Sequence, residues 1–188
     1  MGRLSQVYFD VGEKMLKKID FEKFSLKSFD AWENGWFLLT AGDFSTGDFN
    51  SMTVAWGSFG SMWSKPLALI VVRPTRFTFG FLEKYDSFTL CSFPEELRDK
   101  LRFLGSTSGR ARRKIAESGL TPVASEIVRS PGYAESNLIV ECRKMYWQDM
   151  NPENFLNAEI HQKYPEKDYH RIYFGEIVQI CGVSSFEK

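Results

Sequence analysis

The sequence predicts a mostly β protein with peripheral helices, built as an antiparallel sheet or barrel. Apolar runs of strand length recur along the chain, and turn residues bound them. The helical segments between these runs are short and do not alternate regularly with the strands. The glycine fingerprint of a dinucleotide-binding α/β fold is absent from the sequence. Together these observations disfavour a doubly wound sheet.

The length of 188 residues is typical of one domain, and we expect a single domain over 1–188. Residues 1–34 are mixed in character and rich in aromatic side chains. We expect them to form an N-terminal extension that packs on the barrel. The 17 Phe residues indicate a bulky aromatic core.

Apolar runs and their flanking turn signals predict six strands. These strands cover 35–42, 52–57, 67–73, 87–93, 137–147 and 171–183. Within 137–147 the residues alternate, so that Leu138, Val140 and Cys142 share one face and Glu141 and Arg143 share the other.

Four helices are also predicted. They cover 13–19, 76–85, 94–104 and 110–118, and loops are expected over 43–50 and 105–109. Thr75 is the candidate N-cap of the second helix. Pro94, Glu95 and Glu96 suit the first turn of the third helix, because acidic side chains favour the positive end of the helix dipole.

The charge balance argues against general nucleic-acid binding, since 24 Lys and Arg are matched by 24 Asp and Glu. The three cysteines are scattered and odd in number, which is typical of reduced thiols in the cytoplasm. No secretory signal opens the sequence, and no apolar run approaches the length of a membrane helix. We therefore expect a cytoplasmic protein with neither a nucleic acid nor a membrane as its partner.

One candidate site lies where a predicted strand meets the second helix, at Arg73, Thr75, Arg76 and Thr78. A helix N-terminus offers unpaired N–H groups and partial positive charge. Threonine hydroxyls and arginine guanidinium groups add donors that suit a phosphate. The alternative is that Thr75 only caps the helix and the arginines are solvated.

A second candidate segment leaves a polar loop and enters an apolar strand. Its candidate ligand-contacting residues are Asn50, Ser51, Met52, Thr53, Ala55 and Trp56. Backbone amides at such a strand entrance could hold the polar edge of a flat ring. Taken alone, the segment is more simply a plain loop followed by a strand.

A third candidate segment contains Ser108, Gly109, Arg110 and Lys114. Small hydroxyl residues and cations in this loop could close over a phosphate or a second nucleotide. The alternative is a flexible loop before a solvated basic helix face, which is the usual character of a charge run.

Taken in order, these segments resemble the flavin reductase-like family of FMN-binding split barrels, close to its flavoredoxin-type members. The resemblance runs from Trp36 to Val183. Besides the three candidate segments, two further motifs carry the resemblance. They are Gly-Leu-Thr at 119–121 and Phe-Gly-Glu-Ile-Val at 174–178. Each motif is short, and it is the ordered set of five that is specific.

The resemblance implies a split β-barrel and a homodimer with two FMN sites near the subunit interface. It implies FMN contacts from 50–53, from 73–78 and from 108–114. One departure is that many relatives carry Gly-Arg-Asp before the loop's lysine, whereas this chain reads Gly-Arg-Ala-Arg-Arg-Lys over 109–114. The extra positive charge is compatible with a phosphorylated second ligand such as NADPH, and equally with a solvated face.

The function implied is an FMN-dependent oxidoreductase that moves electrons from NADH or NADPH to free flavin, a partner protein or a small molecule. Because the flavin carries such chemistry, no catalytic side chain is expected. Two alternatives stay open. One is a flavoredoxin-like electron carrier without nicotinamide activity, and the other is a non-catalytic FMN-binding module.

Further pocket candidates are Cys91, Ser92 and Phe93 in the predicted strand 87–93, although a lone cysteine there is more simply a core residue. Relatives often carry a histidine just before the last strand, so the resemblance implies that His170 lines the pocket. His161 and His170 are too weak a pattern for a metal site, and no metal is expected.

Overall fold

The structure is a computed structural model, and it describes residues 8–11 and 14–188. Its strands are β1 (Tyr8–Val11), β2 (Lys14–Lys18), β3 (Phe37–Asp43), β4 (Asp48–Val54), β5 (Gly57–Met62), β6 (Lys65–Val72), β7 (Ser87–Ser92), β8 (Pro122–Val123), β9 (Gly132–Tyr133), β10 (Leu138–Asp149) and β11 (Arg171–Gly182). Its α-helices are α1 (Ser28–Asp30), α2 (Phe77–Lys84), α3 (Arg98–Ser106) and α4 (Lys114–Ser118).

Five short segments of 3₁₀-helix and one π-helical turn lie among these elements in the described residues. The 3₁₀ turns are Phe21–Lys23, Glu95–Leu97, Pro152–Asn154, Ala158–Lys163 and Ser184–Phe186, and the π-helical turn is Ala31–Gly35. No helix in the described part of the chain is long and apolar enough to span a membrane.

Nine of the strands form one sheet in which the pairings are antiparallel. Its order is β1-β2-β11-β10-β7-β3-β4, with β6 also paired to β11 and β5 paired to β6. The long strand β11 pairs with two strands along one of its edges. Its first half pairs with β6, and its last two residues pair with β2. The short strands β8 and β9 form a separate pair.

The sheet curls around one core, which gives the split barrel that the sequence predicts. Met52 and Val54 from β4 share this core with Ile70 and Val72 from β6, although the two strands are far apart in the strand order. Alternate residues of β3 point into the same core, including Phe37. Burial of these apolar side chains is the main stabilising contribution to such a fold.

A second apolar layer covers the outside of the barrel near the candidate site. Leu38 points outward from β3 and packs with Leu101 and Leu104 of α3. Cys91 of β7 and Tyr133 of β9 belong to the same cluster. Because helix α3 covers this face, β3 is buried on both sides, which explains its continuous apolar sequence.

The predicted helix over 13–19 is wrong. Residues Lys14–Lys18 form β2, which pairs with β1 and with the end of β11, and residue 13 lies outside the described residues. Leu16 and Ile19 are buried three positions apart, which imitates a helical period. Tertiary pairing overrides this weak local signal.

Other elements differ from the prediction in extent. Strand β4 begins at Asp48, inside the predicted loop, and β5 was not predicted because its glycines and serines have low strand propensity. The predicted basic helix over 110–118 shortens to α4. Thr75 is not the N-cap of α2, since that position is Arg76 and no side chain caps the helix.

Candidate functional site

Arg76 stands at the turn between β6 and α2, where its N–H donates to the carbonyl of Arg73 at 3.0 Å. Its half-buried guanidinium group donates to the carbonyl of Gly105 at the end of α3. Burial lowers the pKa of the Arg76 guanidinium, and the charge on Arg73 lowers it further. Arg76 forms no ion pair with a carboxylate among the described residues.

Lys114 places a second buried cation beside Arg76. The residue is only 3% exposed, and its Nζ donates to the carbonyls of Leu104 at 2.7 Å and Thr107 at 2.9 Å. Burial lowers the pKa of Lys114 to about 8, and the charge on Arg76 contributes. An ammonium group has three donors, so one remains for a ligand.

Arg110 is the third cation of this group. It donates to the carbonyl of Thr75 at 3.1 Å, and its guanidinium lies 5.2 Å from the ring centroid of Phe77. Arg76, Arg110 and Lys114 line one cavity of about 160 Å³, which we call the anion cavity. None of the three has an ion pair with a carboxylate in the part of the chain that the structure describes.

The anion cavity also contains hydroxyl groups and requires a glycine. Asn50 of β4 donates through Nδ2 to the Thr78 hydroxyl at 2.7 Å, so that hydroxyl keeps its own hydrogen as a donor. A Cβ at Gly109 would lie 2.5 Å from Oδ1 of Asn50 and 2.7 Å from the Phe77 ring. Only glycine therefore lets the loop before α4 approach β4 and α2 so closely.

A second cavity of about 230 Å³, which we call the ring cavity, continues from the first. Its lining residues are Met52, Thr53, Val54, Ala55, Trp56, Val71, Arg73 and His170. Met52 lines both cavities, so the two lie next to each other along β4. Trp56 is 44% exposed and stands at the surface end.

His170 forms a wall of the ring cavity, immediately before β11. It is 8% exposed, and its Nδ1 lies 2.8 Å from the Tyr164 hydroxyl. Its ring centroid lies 5.3 Å from that of Trp56. Burial lowers the pKa of His170 to about 4, and the charge on Arg73 contributes, so the imidazole is neutral at pH 7.

Two predicted contact residues on β4 use their side chains elsewhere. The Ser51 hydroxyl is buried between those of Thr40 at 2.7 Å and Tyr133 at 2.6 Å. The Thr53 hydroxyl donates to the carbonyl of Leu101 at 2.5 Å. Because side chains alternate along a strand, these two face helix α3 while Asn50 faces α2. Their backbone groups are what they can offer to a ligand.

Two other predicted residues are held by a carboxylate that the sequence analysis did not identify. Arg73 pairs with Asp168 at 2.6 Å and donates to the carbonyl of Lys163 at 2.6 Å. The Thr75 hydroxyl donates to the same carboxylate at 3.2 Å. Ser108 accepts a hydrogen bond from the backbone N–H of Arg110 at 3.3 Å and lines the anion cavity.

Three pocket candidates lie away from the two cavities. Cys91 is fully buried in the outer apolar layer, and this burial raises the pKa of its thiol to about 12. Ser92 and Phe93 line a different cavity of about 340 Å³, together with Trp36. The structure therefore does not bring Cys91, Ser92 and Phe93 to the site. Strand β7 runs between β10 and β3, and its outer side chains face α3.

Tyr164 and Asp168 are site-supporting residues that sequence reasoning missed. Both precede His170 in a segment with 3₁₀ turns and no strand pattern. The partners of Asp168 are Arg73 and Thr75, which stand 95 and 93 positions earlier in the chain, whereas Tyr164 is hydrogen-bonded to His170. The cluster of Tyr and His residues at 161–170 was the signal available.

Comparisons with known proteins agree with this architecture. The model of the flavin reductase like domain matches residues 30–186. The chain therefore belongs to the flavin reductase-like domain family. Its curled antiparallel sheet agrees with the split-barrel fold of this class of protein. No curated protein matches the chain significantly.

Several solved structures share the fold. The flavoredoxin of Desulfovibrio vulgaris (Miyazaki F) is 21% identical with a TM-score of 0.62, over 80% of this chain and 70% of that one. An FMN-binding protein from Thermus thermophilus with bound 1-cyclohex-2-enone is 19% identical with a TM-score of 0.61, over 78% and 68%. The NADH:FAD oxidoreductase of Streptomyces globisporus C-1027 is 18% identical with a TM-score of 0.60, over 81% and 78%. At these identities the likeness concerns the fold.

Proposed function

We propose that this protein binds FMN and works as a flavin-dependent redox protein. The phosphate would lie in the anion cavity and the ring system in the ring cavity, with Met52 between them. The observation that carries the proposal is that Arg76, Arg110 and Lys114 surround one cavity without an ion-paired carboxylate. Support also comes from the family and from similar folds whose names include FMN.

The residues present fit a phosphate for a physical reason. Burying a cation costs free energy unless an opposite charge or hydrogen bonds compensate it. Backbone carbonyls compensate Arg76 and Lys114 only in part. A phosphate would complete the compensation through charge-assisted hydrogen bonds from both residues and from the Thr78 hydroxyl.

The ring cavity fits a flat ring that approaches the surface. The residues from Met52 to Ala55 form one wall, the buried His170 forms another, and the exposed Trp56 stands at the surface end. When bound there, FMN would supply the electron-accepting and electron-donating chemistry. The protein's own residues would bind it, orient it and limit its contact with water.

NADH or NADPH is the electron donor we propose, and free flavin, a small molecule or a partner protein is the acceptor. A fold shared with an NADH:FAD oxidoreductase supports this direction. A third cavity of about 400 Å³ beside the anion cavity is lined by Arg112, Arg113 and Lys114. Because Arg112 pairs with Glu117, Arg113 is the more available cation for a phosphorylated donor such as NADPH.

Electron transfer without a nicotinamide is the second candidate, supported by the fold shared with a flavoredoxin. In that case a reduced ferredoxin-type protein would supply the electrons. The two candidates differ in one measurement, which is whether NADH or NADPH reduces the bound flavin.

We propose further that the protein is a homodimer in the cytoplasm. Exposed aromatic side chains on the barrel support association, since Trp63, Tyr146 and Trp147 are each about half exposed and lie outside the two cavities. The three cysteines are buried and unpaired, which suits a reducing compartment. Sedimentation of the purified protein tests the dimer.

The test of function begins with the absorbance spectrum of the freshly purified protein and mass identification of any released ligand. FMN-loaded protein is then mixed with NADH and with NADPH in a stopped-flow spectrometer. Bleaching of the flavin by either nucleotide supports the oxidoreductase. Reduction by reduced ferredoxin alone favours the electron carrier, and a protein that takes up no FMN contradicts both.

A further inference from the structure

The cavity of about 340 Å³ that contains Ser92 and Phe93, which we call the Trp36 cavity, lies apart from the anion and ring cavities. In the part of the chain that the structure describes, it shares no lining residue with either of them. Its volume falls within the usual range of small-molecule sites, about 300 to 1,000 Å³. Three of its apolar residues are aromatic, which favours a flat aromatic ligand. The apolar residues that line it are Leu26, Ala31, Trp36, Phe93 and Phe186.

Trp36 has a backbone conformation that is rare for a residue with a side chain. Its φ of 60° and ψ of 159° lie in a region that is used almost only by glycine. Two contacts fix the residue there. The Arg98 guanidinium lies 3.6 Å from the indole ring centroid, and the indole N–H donates to the carbonyl of Glu33 at 3.1 Å. Because strained residues cluster at ligand-binding and catalytic sites, the strain supports a binding role for this indole.

The polar residues of the Trp36 cavity favour an uncharged ligand that carries an oxygen atom. Lys27, Asp30 and Lys188 line the cavity and are all exposed. Water and salt screen exposed charges of mixed sign, so these residues offer no strong attraction for a charged ligand. Ser92 differs from them, since its hydroxyl oxygen is buried and has no hydrogen-bond partner among the described residues. A ligand oxygen would provide the partner that such a group requires.

We propose that the Trp36 cavity binds an uncharged, planar aromatic molecule of one or two rings that carries one hydroxyl or carbonyl oxygen. The rings would lie against Trp36, Phe93 and Phe186, and the oxygen would form a hydrogen bond with the Ser92 hydroxyl. The cavity is formed where residues 25–36 meet the end of β7 and the segment 184–188. It is therefore a second site, which does not depend on flavin binding.

The experiment is a calorimetric titration of 2-naphthol into the wild type and two matched variants. Trp36→Gly removes the indole at a backbone conformation that glycine adopts freely, so this variant should fold. Trp63→Gly is the control, because Trp63 also has a positive φ, of 54°, and is exposed outside the cavity. We expect 2-naphthol to bind the wild type and Trp63→Gly equally, and Trp36→Gly at least about tenfold more weakly. Equal binding to all three proteins would overturn the inference.

Ser92→Ala and two related probes test the chemistry assigned to the ligand. Ser92→Ala should weaken 2-naphthol roughly three- to tenfold, the range for one neutral hydrogen bond. The same variant should leave the affinity for 2-methylnaphthalene unchanged, because that ring system has no hydroxyl. The anion 2-naphthoate should bind the wild type more weakly than 2-naphthol does. Tighter binding of 2-naphthoate, or an unchanged affinity of Ser92→Ala for 2-naphthol, would contradict the proposed class of ligand.

NMR of the wild type gives a readout that needs no folded variant. The indole N–H signal of Trp36 should shift when 2-naphthol is added, and riboflavin should not displace the probe. Displacement by riboflavin would place the probe in the ring cavity and overturn the inference, as would an unchanged Trp36 signal or no binding at all. A protein that binds 2-naphthol at Trp36 but takes up no FMN would contradict the proposed function and leave this second site standing.

Discussion

Arg76 and Arg171 flank the same end of the barrel, yet their surroundings are opposite. Arg171 pairs with Asp149 through two hydrogen bonds of 2.7 and 2.8 Å, pairs with Glu83 at 2.7 Å, and its guanidinium lies 3.6 Å from the Trp147 ring centroid. Arg76 has a carbonyl oxygen and neighbouring cations. Hydrogen bonding to Asp149 raises the pKa of Arg171, whereas burial lowers that of Arg76.

The contrast indicates different roles for the two residues: Arg171 stabilises the fold, whereas Arg76 is available to bind a ligand. A fully compensated guanidinium contributes to folding and has little left to offer an anion. An uncompensated one lowers the stability of the free protein and recovers that free energy when an anion binds. The two regions differ in the same way. The cations of the anion cavity have no carboxylate partner among the described residues, whereas Arg171, at the start of β11, is paired with carboxylates.

The largest expected effect is on the affinity for FMN when Arg76 is removed. Arg76→Ala should raise the Kd for FMN roughly 10- to 100-fold, since a charge-assisted hydrogen bond contributes about 1.5 to 3 kcal/mol. Riboflavin lacks the phosphate, so its Kd should stay within about twofold. Both constants are measured by quenching of flavin fluorescence.

Arg171→Ala is the matched control for Arg76→Ala. It should leave the Kd for FMN unchanged and lower the free energy of unfolding by roughly 1 kcal/mol, because its ion pairs are partly exposed. If Arg171→Ala weakened FMN as much as Arg76→Ala, the distinction between the two arginines would be wrong.

Gly109→Ala should be the next largest effect, and it tests the close approach of the loop. Its Cβ would lie 2.5 Å from Asn50 Oδ1, so the loop must move and FMN should bind less tightly. We expect a loss of about 1 to 3 kcal/mol in unfolding free energy, typical of overpacking. Gly80→Ala in α2 is the control, because nothing lies within 4 Å of its Cβ and alanine favours a helix. Equal results for the two variants in chemical denaturation would contradict the packing argument.

The pH dependence of FMN binding follows from Lys114. Its pKa of about 8 in the free protein lies below the usual lysine value, so the ammonium loses its proton as the pH rises through 8. The anion cavity then loses a positive charge, and the Kd for FMN should rise with pH by no more than about tenfold per unit, because one proton is involved. Riboflavin titrated between pH 7 and 9 should show no such rise, and a parallel rise would assign the effect elsewhere.

The smallest expected effect concerns the outer face of β4. Ser51→Ala removes a hydroxyl that is hydrogen-bonded to Thr40 and Tyr133, so the free energy of unfolding should fall by about 1 kcal/mol. FMN affinity should not change, because this side chain points away from both cavities. Weaker FMN binding in a fully folded Ser51→Ala protein would show that the two faces of β4 are not separate.

The sequence predicts the parts of this molecule that depend on local pattern. The turn from β6 to α2 follows from Pro74 and its polar neighbours, and the alternation in β10 follows from its apolar period. The association of the three segments that contain Asn50, Arg76 and Gly109 came from family resemblance, since the segments are distant along the chain. From local sequence pattern alone, each of the three candidate segments could also be explained without a ligand.

The parts of the fold and site that were not predicted depend on contacts between residues that are distant in the chain. Such contacts cannot be inferred from local patterns in a single sequence. Nothing near Arg73 indicates that Asp168 binds it, and nothing near Lys114 indicates that two carbonyls at the end of α3 receive its ammonium group. Strand β2 was mistaken for a helix for the same reason, because its partners β1 and β11 stabilise it. Local propensity is the weaker influence wherever such pairing is available.

The most direct test of the central claim is a calorimetric titration of the wild-type protein with FMN and with riboflavin, at pH 7 and low ionic strength. If Arg76, Arg110 and Lys114 hold the phosphate, FMN should bind at least about tenfold more tightly than riboflavin. Equal affinities for the two flavins, or no binding of FMN, would contradict the account.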